Sequence, residues 1–438
     1  MPVRFFEQRK IMTDLTTALS RHAQYYSRKL REIDSLYGKG GPVTSKAILS
    51  FTLEWAQIRK GQAYASKQLE QEDWSADCCL EYALAGARLL SLRLPAGQRI
   101  EWLNPGLPAA RQRNDLEAEA ELWGQIGMAN DAIGEYARSV GFYRECLEIA
   151  RTLKDKQREG RTLGSLGLDY IFLKEPGEAK KCFDSALEIA REINDRMAEG
   201  RHLGSLGLMS TGRESIEYFT QALEIAREVG DRQGEVSHLG CLAMEWVEKA
   251  ERARTLPGAA FIHPNIIARN RRPDGSLAKD LQDRIEEQDS ALCYQKAATF
   301  FEQAVANAHE IGDSAAECRY LGELGNVFSR QEKLERALSF YEQAWTIAQE
   351  LGDRQNELKQ LQSMRSVYLS LADQGEVNRI EARLREISQE IESPNVGNIL
   401  DQFGRHRLNP IDAGYWKMSR DEESKRYWSD YYRDNIAG

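Results

Sequence analysis

Two blocks 40 residues apart carry nearly the same sequence, and they constrain the chain more than anything else in it. Gly160-Arg-Thr-Leu-Gly-Ser-Leu-Gly-Leu168 returns as Gly200-Arg-His-Leu-Gly-Ser-Leu-Gly-Leu208, and Ala186-Leu-Glu-Ile-Ala-Arg191 returns as Ala222-Leu-Glu-Ile-Ala-Arg227. Self-similarity at such a period means one supersecondary unit stacked many times, which predicts a solenoid. Length then counts repeats: 438 residues need not divide into two or three globules.

The other units follow by alignment. First helices carry Trp123…Ile126-Gly127, Leu163…Leu166-Gly167…Tyr170, Leu203…Leu206-Gly207, Leu239…Leu242-Ala243…Trp246, Leu321…Leu324-Gly325…Phe328 and Leu361…Met364…Tyr368. Second helices carry Tyr143…Cys146, Phe183…Ala186, Phe219…Ala222, Phe301…Ala304 and Tyr341…Ala344. Large residues at i, i+3 and i+7 make a buried stripe, and Gly or Ala at fixed places lets helix axes approach. Each junction carries an Asp four residues before a Glu, at Asp155/Glu159, Asp195/Glu199, Asp231/Glu235, Asp313/Glu317 and Asp353/Glu357. The Asp suits an N-cap and the Glu the first helical turn, although a solvated acidic turn would use the same residues.

The steps between these Asp residues are 40, 36, 82 and 40. The short step predicts that the third repeat's first helix is truncated by about one turn. The long step predicts a fourth first helix running to about Arg254, a partner helix ending at His309 that is long or starts late, and an insertion between them over about 255–284. That insertion is rich in breakers and has no helical period.

The pattern W/L-x-x-L-G-x-x-Y followed by F-x-x-A resembles the tetratricopeptide repeat in a 40-residue variant, over residues 117–392 and about six units. The resemblance implies an all-α, right-handed superhelix. Residues 1–116 read as helices without the period, a helical N-terminal cap: Phe5–Leu36, Thr44 to about Glu70, Trp74–Leu92 and Gln98–Arg113. His22-Ala-Gln-Tyr-Tyr26, Leu36-Tyr-Gly-Lys-Gly-Gly41, Phe51-Thr-Leu-Glu-Trp55 and Arg99-Ile-Glu-Trp102 are similar to the region between the nucleotide-binding module and the repeats of bacterial NB-ARC and NACHT (STAND) signalling ATPases. That implies the sensor or scaffold half of such a system, since no GxxxxGK[ST] phosphate loop is present.

By the repeat family's pattern, the ligand-facing positions lie five before and two after the Leu of each L-G pair. Here they give Arg161, Arg201, Arg319 and Lys359, beside Met128, Leu168, Leu208, Met244 and Asn326. Gly124, Gly164, Gly204, Gly240 and Gly322 form a third column where a ligand could reach backbone. The arginines either bind acidic and apolar side chains of a peptide, or simply pair with Glu159, Glu199 and Glu317. Two further surfaces are candidates. Arg269, Arg271 and Arg272 make the insertion locally basic, suited to an acidic partner and less to nucleic acid, because no aromatics interleave. The tail, 393–438, holds seven aromatics, among them Tyr415, Trp416, Tyr427, Trp428 and Tyr431. Such a tail docks on its own solenoid or on a partner.

Chemistry is poorly supported. No HExxH, Gly-x-Ser-x-Gly or dinucleotide motif occurs, so no catalytic residue, metal or cofactor is expected. His202 and His238 read as groove or packing residues rather than ligands, and a Cys293/His263 pair is the remote enzymatic alternative. Seven scattered cysteines, a net charge of −9 and no apolar run of spanning length point to a cytoplasmic protein that does not enter membranes. The expected function is a non-enzymatic scaffold or adaptor that binds a partner protein or peptide, with a separate effector enzyme as a possible partner, in bacterial signalling, regulation or a defence-type complex. The alternative is a peptide- or small-molecule-responsive regulator whose tail occupies the groove.

Overall fold

The computed structural model describes residues 2–39, 42–255 and 289–392, and every regular element among them is an α-helix. The chain divides into two compact units, one through Asn194 and one from Asp195. The insertion's Arg269, Arg271 and Arg272, His263, and the tail residues lie outside the described residues.

In the first unit, α1 (Pro2–Gly38) packs on α2 (Pro42–Gln68), followed by α3 (Asp73–Leu84), α4 (Ala87–Arg93), α5 (Ala96–Leu103) and α6 (Gly106–Arg113). The single helix expected over Trp74–Leu92 is two. Gly86 sits at φ +78 with the Leu30 side chain against it, a conformation and a closeness that a larger residue resists. The stretch Gln98–Arg113, whose helical pattern Asn104-Pro105 and Pro108 disturb, is likewise two helices, parted at Asn104-Pro105, where Pro105 has no N–H to give. Tyr82 ties these helices together: its hydroxyl donates to the Ala23 carbonyl at 2.9 Å, and its own carbonyl accepts from Trp102 Nε1 at 2.8 Å. Trp102 in turn stacks on Trp55, centroids 5.5 Å apart.

Two helix pairs complete this unit, α7 (Leu116–Asp131) with α8 (Tyr136–Leu153) and α9 (Lys156–Phe172) with α10 (Pro176–Glu192). The second unit holds four more: α11 (Arg196–Met209) with α12 (Arg213–Val229), α13 (Arg232–Thr255) with α14 (Ser290–Ile311), α15 (Ser314–Arg330) with α16 (Leu334–Leu351), and α17 (Arg354–Ser370) with α18 (Gln374–Glu392). As the spacing requires, α11 has 14 residues against 17 in α9, while α13 and α14 lengthen to 24 and 22. The glycine of each L-G pair receives the aromatic ring of the partner helix. A Cβ on Gly167 would stand 2.6 Å from Phe183, and one on Gly325 2.6 Å from Tyr341.

The junctions are capped as the sequence implies. Asp155, Asp195, Asp231, Asp313 and Asp353 each accept a backbone N–H three residues on at 2.9–3.0 Å, and Asp115 does the same. The glutamates are not solvated. Glu119, Glu159, Glu235 and Glu357 are buried, and Arg111, Arg151 and Arg227 reach Glu119, Glu159 and Glu235 across eight residues at 2.7–2.9 Å.

Candidate binding surface

The first helices position the predicted ligand-facing residues. In the first unit, Met128 on α7 is 53% exposed, Arg161 on α9 is exposed and Leu168 is half-buried. Arg161 pairs with Glu121 at 3.6 Å, a carboxylate that also binds Arg158 at 3.2 Å. Glu159 is held by Arg151 and Lys156 instead, so the Arg161–Glu159 pairing, one of the two alternatives for this arginine, does not form.

In the second unit, Arg201 on α11 is exposed and has no ion pair among the described residues. Leu208 and Met244 are half-buried and pack partly on the core. On α15, Arg319 is half-buried with its guanidinium 4.9 Å from the Tyr320 ring centroid. Glu317 is taken by His309 at 3.1 Å. Lys359 on α17 reaches back to Glu323 at 2.9 Å, and Asn326 donates to the same carboxylate at 2.9 Å while accepting from the Tyr341 hydroxyl at 2.7 Å. Burial alone would raise the Glu323 carboxyl, but Lys359 and Asn326 override it and hold it below its usual range. Lys359 and Asn326 therefore form a charged network on this face.

The glycine column is not the open track the sequence suggests. The space beside Gly240 is filled by the Tyr320 ring, and a Cβ on Gly322 would stand 2.6 Å from the Gln360 amide. At these two positions the missing side chain admits the next first helix, not a ligand. Gly164 and Gly204 are buried as well.

Sequence reasoning missed a buried acid cluster in the first unit. Asp169 on α9 is 1% exposed and its carboxyl shares a hydrogen bond with that of Asp131, the last residue of α7. Ser139 and Tyr143 of α8 both donate to Asp131, the tyrosine at 2.6 Å. Burial, then the neighbouring Asp131, pushes the Asp169 carboxyl up to about 8, and Asp131 is also raised by burial. Asp169 Oδ2 lacks a hydrogen-bond partner, which a neutral carboxyl tolerates better than an ionised one. A signal existed: three residues after the L-G leucine, α7, α15 and α17 place the buried Ala129, Val327 and Val367, where α9 has an aspartate; α11 and α13 have half-buried Met209 and Glu245 there.

The remaining polar candidates among the described residues are buried. Burial drives His202 and His238 down to about 4, so both are neutral packing residues. Cys293 is fully buried in the core of the second unit. Burial pushes the Cys78 and Cys318 thiols up to about 12 and Cys79 to about 11, away from the thiolate that nucleophilic chemistry needs. Among the described residues no group of three His, Cys, Asp or Glu could hold a metal, and no helix is long and apolar enough to cross a membrane.

Tetratricopeptide-repeat family models match residues 118–192 and 321–355. No curated protein matches the chain. Among solved structures, the chain is similar to a Signal Transduction ATPase with Numerous Domains (STAND) protein with a tetratricopeptide repeat sensor from Pyrococcus horikoshii. The TM-score is 0.53 at 16% identity, over 88% of this chain and 54% of that one. The chain thus spans about half the length of that protein. The apo form of RapI is matched with a TM-score of 0.46 and 13% identity, over 72% of this chain and 98% of that one. With its repeat signature, its glycine-seated helix pairs and the two matched stretches, the chain carries tetratricopeptide repeats at residues 118–192 and 321–355, and its all-α fold resembles that of a STAND ATPase with such a sensor.

Proposed function

We propose that the chain is a non-enzymatic adaptor or sensor that binds a partner protein or peptide through the exposed faces of its first helices, in a signalling or regulatory complex. One observation carries this reading most directly: in the second unit, exposed Arg201 lies on the same helix as half-buried Leu208, about two turns along, so a guanidinium fork and apolar surface share that helix. In the first unit, the exposed pair Met128 and Arg161 repeats that chemistry on α7 and α9. Such a surface suits an extended or helical segment bearing acidic and apolar side chains. Fold similarity to a STAND protein with a repeat sensor supports a signalling role, with the effector supplied by another protein. High thiol pKa values support the non-enzymatic part.

The test is quantitative capture from the native host, comparing the wild-type chain with Arg201→Glu/Arg161→Glu. A specific protein retained by the wild type and reduced at least tenfold on the charge-reversed chain is the expected outcome. Equal recovery on both, or no specific protein on either, overturns the reading.

A further inference from the structure

A second surface lies outside the repeats, on α2 in the N-terminal helices. Ala47, Phe51, Ile58 and Ala65 are buried and carry one side of this helix into the core of the first unit. On its opposite side stand Lys46, Leu49, Leu53, Ala56, Lys60 and Ala63, all exposed. Their spacing alternates between three and four residues, which on an α-helix makes one straight stripe of the kind that seats a second helix. Leu53 is 72% exposed, Leu49 60%, and Ile48 at the edge of the stripe 43%. A lone exposed leucine is ordinary, but these lie one turn apart on one face, whereas α10, α12 and α16 expose no large apolar side chain at all.

The stripe is basic as well as apolar. Within α2, Lys46, Arg59, Lys60 and Lys67 stand against one carboxylate, Glu54, in a chain whose net charge is −9. Glu54 bonds to Tyr26 of α1. Lys46, Lys60 and Lys67 make no ion pair or side-chain hydrogen bond among the described residues. Ala56 and Ala63 keep the middle of the stripe low, which lets another helix axis come close. Two leucines for contact, two alanines for approach and lysines at both ends define what fits.

We propose that this stripe is a docking seam for an acidic, amphipathic helix of another protein. Leu49 and Leu53 pack into the apolar face of that helix, Ala56 and Ala63 admit its backbone, and its carboxylates sit at Lys46, Lys60 and Lys67. Charge decides against a second copy of this chain, because two α2 stripes laid together bring lysines from both and no carboxylate from either. An anionic bilayer takes a continuous apolar face, which the lysines and alanines here interrupt. The seam uses neither Arg201 nor Arg161, so it does not rest on the adaptor reading above.

The experiment is a fluorescence-anisotropy titration of the full chain with a dye-labelled helical peptide of repeated Leu-Glu-Glu-Ala-Leu-Glu-Glu heptads. Saturable binding is expected, weakened by raised salt and at least tenfold by Leu49→Ser/Leu53→Ser. Lys46→Glu/Lys60→Glu should weaken it as much, and that variant should regain binding to a probe with Lys in place of each Glu. All four side chains are exposed, so thermal melts that match the wild type show the variants folded, and Leu53→Ala serves as a milder one. The proposal is overturned by absence of binding, by equal affinity for a proline-interrupted probe that forms no helix, or by an affinity that the leucine variant leaves unaltered. Co-sedimentation with phosphatidylcholine/phosphatidylglycerol vesicles that the leucine variant abolishes overturns it by giving the stripe to a lipid surface. Self-association in sedimentation equilibrium, lost in the same variant, overturns it by giving the stripe to a second copy.

Discussion

Asp169 and Asp131 place two carboxyls in hydrogen-bonding contact between the first helices of successive repeats, with Ser139 and Tyr143 bonded to the same group. Two buried carboxylates cannot both ionise cheaply, so the folded chain keeps a proton there that the unfolded chain releases. The Asp169 carboxyl sits at about 8 when folded against 3.8 as its reference. Between those values the native state binds more protons, and stability falls as pH rises. The pair's contribution is complete below about 4 and is lost as pH climbs through about 8. Asp169→Asn removes the titration while keeping a donor, so in thermal melts its Tm relative to wild type should increase steadily from pH 5 to pH 8. A constant difference across that range would remove the shared proton.

His238 gives the opposite slope. Burial lowers it to about 4 from 6.5, so the unfolded state takes up a proton first as pH drops. Stability from this residue is present above about 6.5 and is lost as pH falls toward 4. His238→Gln should flatten the wild-type loss of Tm between pH 6.5 and 4.5, read by circular dichroism. An identical slope in both proteins would contradict the buried neutral imidazole.

Glycines at two positions should respond in opposite directions. Gly167→Ala drives a Cβ into the Phe183 ring and should cost about 1–3 kcal/mol, as overpacked cores do. Gly141, exposed on α8 with nothing near its would-be Cβ, should gain roughly 0.5–1 kcal/mol on Gly141→Ala through helix propensity. Urea unfolding midpoints measure both.

Glu357 is fully buried at the start of α17 and accepts from Arg354 at 2.6 Å, Arg383 at 3.0 Å and Gln349 at 3.1 Å. Burial opposes its charge, yet these donors hold its carboxyl below the usual range. Glu357→Ala should cost about 3 kcal/mol, the low end for breaking a buried pair, because both arginines keep part of their hydration. Glu357→Gln should lose less, and its stability should drop less steeply than the wild type's as pH falls below 4.5, which chemical denaturation at pH 3.5 and 6 will show.

The period made the fold legible because each repeat spends the same residues on the same contacts: Gly167 against Phe183, Asp155 on the Arg158 N–H. Even the irregularities obeyed arithmetic, since a four-residue deficit had to shorten α11 and a long step had to lengthen α13 and α14. Outside the period, legibility fell. Gly86 splits one expected helix because Leu30, far away in sequence, claims the space beside it. The surface was less legible than the core for the same reason. Gly240 and Gly322 looked vacant until Tyr320 and Gln360, each supplied by the following first helix, filled them. Trp246 read as an ordinary repeat aromatic, and the cations converging on it come from both α13 and α14 across the insertion.

The capped junctions carry a historical consequence. Since Asp155, Asp195, Asp231, Asp313 and Asp353 each close the start of their own helix, a repeat brings its boundary with it when a stretch of DNA is copied. Gain or loss of a whole unit then leaves no frayed end, and a large segment can be spliced inside one repeat while the next begins normally at Asp313. The near-identical blocks at Gly160–Leu168 and Gly200–Leu208 are what a tandem duplication leaves behind. A chain of this grammar can lengthen, shorten and accept inserts without renegotiating its core.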